Sequence, residues 1–162
     1  MFSLTAVLNK FPGTTTSEFR GQARVVVPAA SAWELLRTLK EEYEFDLLSD
    51  VTCVDYLNYR DATDRYGMVY NVVRTSDNVR LLVRSFLNDP DPTIPSVTNL
   101  WLGADWLERE VYDMFGITFA GHPDHRRILC PDEFVAYPLR KDYPLQGRGE
   151  RHNFPVLTRR EA

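Results

Sequence analysis

Apolar residues recur along this chain with two different periods, and the changes of period mark out its elements. Leu4, Val7, Leu8 and Phe11 fall at i, i+3, i+4 and i+7, which predicts a short amphipathic helix stopped by Pro12-Gly13. Over residues 19–27, Phe19, Ala23, Val25 and Val27 are interleaved with Arg20, Gln22 and Arg24, the period of two of a strand with one buried face, ended by Pro28. Ser31 followed by Glu34 reads as a capping box, and Trp33, Leu36, Leu39 and Tyr43 carry a second helix to about residue 44. Three strands follow, over 47–59, 66–75 and 79–87, divided by short polar turns that force neighbouring antiparallel pairing. Pro90, Pro92 and Pro95 then predict a loop without regular pairing, leading into a short strand near 97–101. The pattern defines an α+β fold: an N-terminal helix, a mixed or antiparallel sheet covered by helices, a further helix, and an extended C-terminal tail.

That further helix opens residues 104–145, where most of the candidate chemistry lies. Asp105 with Glu108 three residues on predicts a reciprocal N-terminal cap, and Gly116 closes the helix. Ala104, Leu107, Val111, Met114 and Phe115 share one apolar stripe, with Asp105, Arg109, Tyr112 and Asp113 on the opposite face. Glu108 and Glu110 flank the stripe. A carboxylate at the edge of a buried face requires a partner, so both are expected to be half-buried and paired with Arg126, Arg127 or Arg140. Beyond residue 120 no period lasts, yet Ile128, Leu129, Phe134, Leu139, Tyr143 and Leu145 need a surface to lie on, whether the domain itself or a partner. The chain is therefore divided into a single α/β domain over 1–120 and an irregular, proline-rich extension over 121–162.

Charge and composition narrow the chemistry. Residues 1–123 carry 11 Lys and Arg against 17 Asp and Glu, a net −6, and residues 124–162 carry 8 against 6, a net +2. A tail with acids interspersed among its cations is not a nucleic-acid footprint. Cys53 and Cys130 form no CxxC pair, which excludes a self-contained iron–sulfur cluster and argues against structural zinc. There is no run of eighteen apolar residues and no signal-peptide pattern, so a soluble chain is expected. Neither GxGxxG, GxxxxGK[ST] nor GxSxG occurs, leaving no nucleotide cradle and no nucleophile elbow. His122, Asp124 and His125, with Glu108 and Glu110 upstream, lack the spacing of a metal motif, and Pro123 breaks any helix that would align the two rings. His122 reads more simply as a turn residue bonding backbone.

Three ordered strings carry a family resemblance: Glu108-Arg109-Glu110-Val111-Tyr112-Asp113-Met114-Phe115-Gly116-Ile117; then Gly121-His122-Pro123-Asp124 with Arg126-Arg127-Ile128-Leu129; then Pro138-Leu139-Arg140-Lys141-Asp142-Tyr143-Pro144-Leu145. Together with Ile94-Pro95-Ser96-Val97 and Trp101 to Trp106 they resemble the C, or thirty-kilodalton, subunit of respiratory NADH:quinone oxidoreductase, complex I. His125 and Ala136-Tyr137 depart from the family's usual residues.

The resemblance implies a peripheral-arm subunit without a cofactor of its own. It would sit beside the D (forty-nine-kilodalton) subunit that helps form the quinone site, and near the iron–sulfur subunits. It would be held by partners at the cytoplasmic face of a bacterial membrane, or on the matrix or stromal side in organelles. The residues carried over as structural or interface positions are Glu108, Arg109, Glu110, Asp113, Gly116, His122, Pro123, Arg126, Arg127, Pro138, Leu139, Arg140, Lys141, Asp142, Tyr143 and Pro144, with no catalytic, cofactor or metal residue. Alternatives are a related subunit of a ferredoxin-linked or hydrogenase-type membrane complex, and a stand-alone metal-dependent enzyme using Glu108, Glu110 and His122. Residues 138–145 are expected to form a docking strap, two prolines limiting the entropy lost on binding. The other reading is a clamp on the chain's own domain.

Overall fold

The computed structural model describes residues 4–150. In chain order the elements are α1 (Leu4–Lys10), β1 (Thr15–Phe19), β2 (Gln22–Val26), α2 (Ala29–Glu41), β3 (Leu47–Asp55), β4 (Tyr66–Arg74), β5 (Val79–Leu87), β6 (Thr93–Pro95), α3 (Ala104–Phe115) and β7 (Thr118–Ala120). The expected meander is present, with β3, β4 and β5 antiparallel neighbours in a five-stranded sheet ordered β1-β2-β5-β4-β3. β2 joins β5 in parallel, which makes the sheet mixed.

Alternation along the strands sends one set of side chains to the helices. Val51, Cys53 and Asp55 lie beside Tyr70, Met68 and Tyr66, which in turn lie beside Val83, Ser85 and Leu87. These residues are buried, and their apolar members form one core with Val7 of α1, Leu35, Leu36 and Leu39 of α2, and Val111 and Phe115 of α3. The intervening positions, among them Val54, Val69, Leu82, Arg84 and Phe86, point the other way and are half-buried or exposed. No described helix is long and apolar enough to cross a membrane.

The fold differs from the pattern reading at four places. Residues 19–27 are not one strand: β1 and β2 form a hairpin, turning at Arg20 and Gly21, which both have positive φ. β1 is exposed along its whole length, so it shows no apolar alternation to read. Residues 97–101 are a helical turn, with the amides of Leu100 and Trp101 both bonded to Val97 O. The strand lies instead within the proline-rich stretch, where β6 pairs in parallel with β7. Prolines forfeit donors but keep acceptors, and Pro92 O takes the amide of Thr118. Finally, neither expected cap forms: α2 starts directly after Pro28, with Glu34 bound to Arg37 at 2.7 Å, and α3 starts after Gly103 with no side-chain cap.

Candidate functional site

Helix α3 carries three carboxylates whose fates differ. Glu110 is exposed and has no ion pair among the described residues. Glu108 is fully buried, but no arginine among the described residues meets it. Its Oε1 accepts the amide of Val97 at 2.7 Å, its Oε2 has no hydrogen-bond partner among the described residues, and His122 Nε2 lies 3.9 Å away. Burial, helped by the charge of Asp105, pushes this carboxyl up to about 7, against the pull of the Val97 amide and of Ser96. The expected pairing of Glu108 and Glu110 with Arg126, Arg127 or Arg140 is thus corrected. Glu108 faces into the core because the turn over 97–101 offers it a free amide, and that amide satisfies one oxygen without any cation.

Asp113 takes the role expected of the glutamates. It is buried although it belongs to the polar face, because residues 126–137 cover the C-terminal half of that face. Oδ2 accepts the consecutive amides of Ile128, Leu129 and Cys130 at 3.1, 2.7 and 2.8 Å, and Oδ1 takes Arg127 Nη1 at 2.6 Å. Burial alone would raise its titration, but these amides and Arg127 outweigh burial and hold the carboxyl below its ordinary value. Arg127 continues to Ala136 O at 3.0 Å and lies over the rings of Phe134 and Tyr137. Arg109 fastens the same segment, donating to Arg126 O at 3.0 Å and Arg127 O at 3.3 Å. Arg126 itself points out and pairs with Asp124 at 2.6 Å.

The His122 ring is buried in a turn and bonds backbone, as its sequence context implies. Nδ1 accepts the amide of Asp124 at 3.0 Å across the exposed Pro123, and Nε2 lies 3.2 Å from Asp105 O. His125 Nε2 accepts the amide of Phe119 at 3.2 Å, its ring resting on Tyr112 at 4.0 Å. Among the described residues no group of three metal-ligating side chains is gathered.

Residues 138–145 close over the end of α3. A helix leaves its last carbonyls without intrahelical partners, and here the tail supplies them. Leu139 N donates to Met114 O at 3.1 Å, and Arg140 Nε donates to Phe115 O at 2.5 Å, placing a cation at the negative end of the helix dipole. Lys141 N donates to the buried Asp55 Oδ2 at 2.8 Å, and Asp142 accepts Arg65 Nη2 at 2.7 Å, while Arg65 also holds Asp55 and Asp89. Tyr143 packs edge-on to Phe134, and Pro144 O accepts Gly147 N. Gly116, at φ 73°, is needed twice: it adopts the left-handed cap, and a Cβ there would lie 2.5 Å from the Tyr137 ring. Meanwhile Leu139 and Leu145 are turned outward, at 52% and full exposure, alongside Leu129 and Val135.

Asp55, Arg65 and Asp89 belong to this site without having been singled out from sequence. Asp55 left a trace, a carboxylate on the apolar phase of a strand after Val51 and Cys53. Arg65 and Asp89 left none, since each lies at the edge of a polar turn.

Fold and site together define a class, a small α+β domain clamped by an irregular, proline-rich tail. The chain belongs to the family described as respiratory-chain NADH dehydrogenase, 30 Kd subunit, whose model matches residues 25–149. It is 45% identical over 130 residues to the C subunit of NADH-quinone oxidoreductase from Geobacter sulfurreducens, covering 80% of this chain and 79% of that one. With the C subunit from Ralstonia pickettii it shares 39% identity over 97% of this chain and 83% of the relative. Among solved structures, a trypsin-resistant fragment of Nqo5 matches with TM-score 0.68 and 38% identity, covering 75% of this chain and 95% of that fragment. A chain of the archaeal membrane-bound sulfane sulfur reductase, a respiratory membrane complex, matches with TM-score 0.77 and 25% identity over 96% of this chain and 91% of its own.

Proposed function

We propose that this chain is a peripheral-arm subunit of a proton-pumping NADH:quinone oxidoreductase, that it carries no cofactor, and that it docks beside the quinone-site D subunit through the strap over 138–145. The relatives named as C subunits of that enzyme support the parent complex. The observation that carries the docking reading is the strap's two-sidedness. Its backbone and charged groups are engaged by Met114, Phe115, Asp55 and Arg65 of its own domain, while Leu139 and Leu145 face solvent. The clamp therefore does not compete with docking; it orders the segment before a partner arrives and presents the leucines in a fixed arrangement. Burying the exposed parts of these two leucines contributes about 2–5 kcal/mol before association costs. Membrane attachment is through these partners, at the cytoplasmic face in a bacterium or the matrix or stromal side in an organelle, and the role is to support electron transfer from NADH to quinone by holding the arm together.

The sulfane sulfur reductase likeness favours one second reading, the same docking role within a membrane complex served by another electron donor. The test of docking is a photo-reactive residue placed at Leu139 or Leu145 in the assembled complex. Cross-links to the D subunit are expected. Cross-links only within this chain would refute the docking reading, and the co-purifying proteins identify which parent complex holds it.

A further inference from the structure

The strap occupies the helix-covered side of the sheet; the other side carries a second candidate surface. Where the loop over 56–65 curls past the end of β3, it leaves a hollow of about 400 Å³ lined by Tyr56, Tyr59, Thr63, Arg84 and Phe86. Strand alternation separates the two sites: Asp55 turns inward to hold the strap, and Tyr56, next in sequence, turns outward to this hollow. Arg84 donates through Nη2 to the Tyr56 hydroxyl and lies over the Tyr56 and Phe86 rings at 5.7 and 5.3 Å. Its Nε is buried and has no acceptor among the described residues. Gly67 makes the arrangement possible, since a Cβ there would lie 2.8 Å from Tyr56 and 3.3 Å from Phe86.

Charge points to the occupant. Arg24, Arg80 and Arg84 share this face, in register with Leu82, Val73 and Val69 respectively, and none has a carboxylate partner among the described residues. By contrast the arginines of the α3 side, Arg65, Arg109 and Arg127, each meet an aspartate. Two carboxylates also line the hollow: Asp61 lies 3.6 Å from Arg60, both side chains being exposed, and Asp64 is held by Thr63 and Asn88. Asp50 lies across the sheet at the β3 edge, opposite Asn71. Between the cations the face is apolar, with Val54, Val69, Leu82 and Phe86 half-buried or exposed.

We infer that this open sheet face is a second docking surface, which receives an acidic, extended segment of a neighbouring polypeptide, one carboxylate seating on Arg84 between Tyr56 and Phe86. The inference rests on the subunit reading for the source of that polypeptide, and it makes the chain a bridge between two neighbours rather than an appendage to one. A carboxylate there meets the Arg84 guanidinium between the two rings, and flanking acids meet Arg24 and Arg80. Apolar side chains of the same segment cover Val54 and Val69.

The test uses the full, isotopically labelled chain and three probes: a glutamate–tyrosine copolymer, a lysine–tyrosine copolymer and N-acetylglutamate. Saturable shifts of the Gly67, Val69, Arg84 and Phe86 amides are expected with the first probe alone, weakening with added salt. Arg84→Gln lowers that affinity at least tenfold, and Arg84→Lys restores part of it. Should Arg84→Gln fail to fold, Tyr59→Ala, at a 68% exposed position, is expected to weaken binding about threefold with the fold intact. No saturable shift, shifts centred on the strap, or equal binding of N-acetylglutamate would overturn the inference, the last by making the hollow a small-anion site. A Leu139→Glu chain is expected to bind the copolymer normally, so loss of strap docking and loss of this surface read out separately.

Discussion

Replacing Glu108 by glutamine is expected to stabilise the protein above neutral pH, an unusual outcome for a fully buried position. The carboxyl sits in the core against the Val97 amide and Ser96, with no arginine or lysine partner among the described residues, and its titration is raised from 4.5 to about 7. The sign follows from linkage. With the folded value above the unfolded one, the favourable contribution is complete below about 4.5 and is lost as pH rises through about 7, where the buried group must ionise. The difference between the two values corresponds to about 3 kcal/mol. Glutamine keeps the oxygen that accepts from Val97 N and never ionises. Glu108→Gln should therefore flatten the stability profile between about pH 4.5 and 7, and at pH 8 raise Tm by about 6–12 °C for a chain of this size. Glu108→Ala removes the acceptor as well and leaves a cavity, so it costs about 2–4 kcal/mol at every pH. Urea unfolding at a series of pH values measures both. A Glu108→Gln protein less stable than the parent by about 3–5 kcal/mol at pH 8 would mean the carboxylate is ionised and paired, and the reasoning would fail.

Asp113 behaves oppositely: its titration is lowered, so its stabilisation is present above the ordinary value of 3.8 and fades only as pH falls below it, and Asp113→Asn should cost about 3–5 kcal/mol at pH 7 in chemical denaturation. Gly116→Ala forces a side chain into the left-handed region and against Tyr137, and is expected to lower Tm and expose Arg140 and Lys141 to trypsin. Arg65→Met leaves the buried Asp55 without its cation and should free the strap first, read as faster amide exchange at Leu139 and Lys141 than in the sheet. The purified chain is expected to turn over neither NADH nor quinone, and activity proportional to its concentration would refute the subunit reading.

What could be read from sequence was what repeats. α1, α2, the three-stranded meander and α3 each show enough apolar positions for a period to emerge, and Gly116 ends α3 as its lack of a Cβ suggests. The hairpin partner β1 was hidden because neither of its faces is buried, and β6 and β7 because three residues cannot show a period. The site was legible as a region but not as a set of pairs. Helical spacing places Asp113 on the polar face, and only the tail folding back over it supplies the three amides and the arginine that bury it. Glu108 is the converse case. Its position at the edge of the stripe called for a partner, but a backbone amide met the need where a guanidinium was expected.

Glutamate in place of both Leu139 and Leu145 separates docking from folding, because these side chains face outward while the strap's inward bonds run through backbone and through Arg140 and Asp142. Thermal unfolding of the purified double variant should match the parent to within about 1 kcal/mol, as for exposed substitutions generally. Incorporation into the membrane complex, measured by co-purification of the other subunits, should fall at least tenfold. Normal incorporation of a normally stable double variant would contradict docking through the strap.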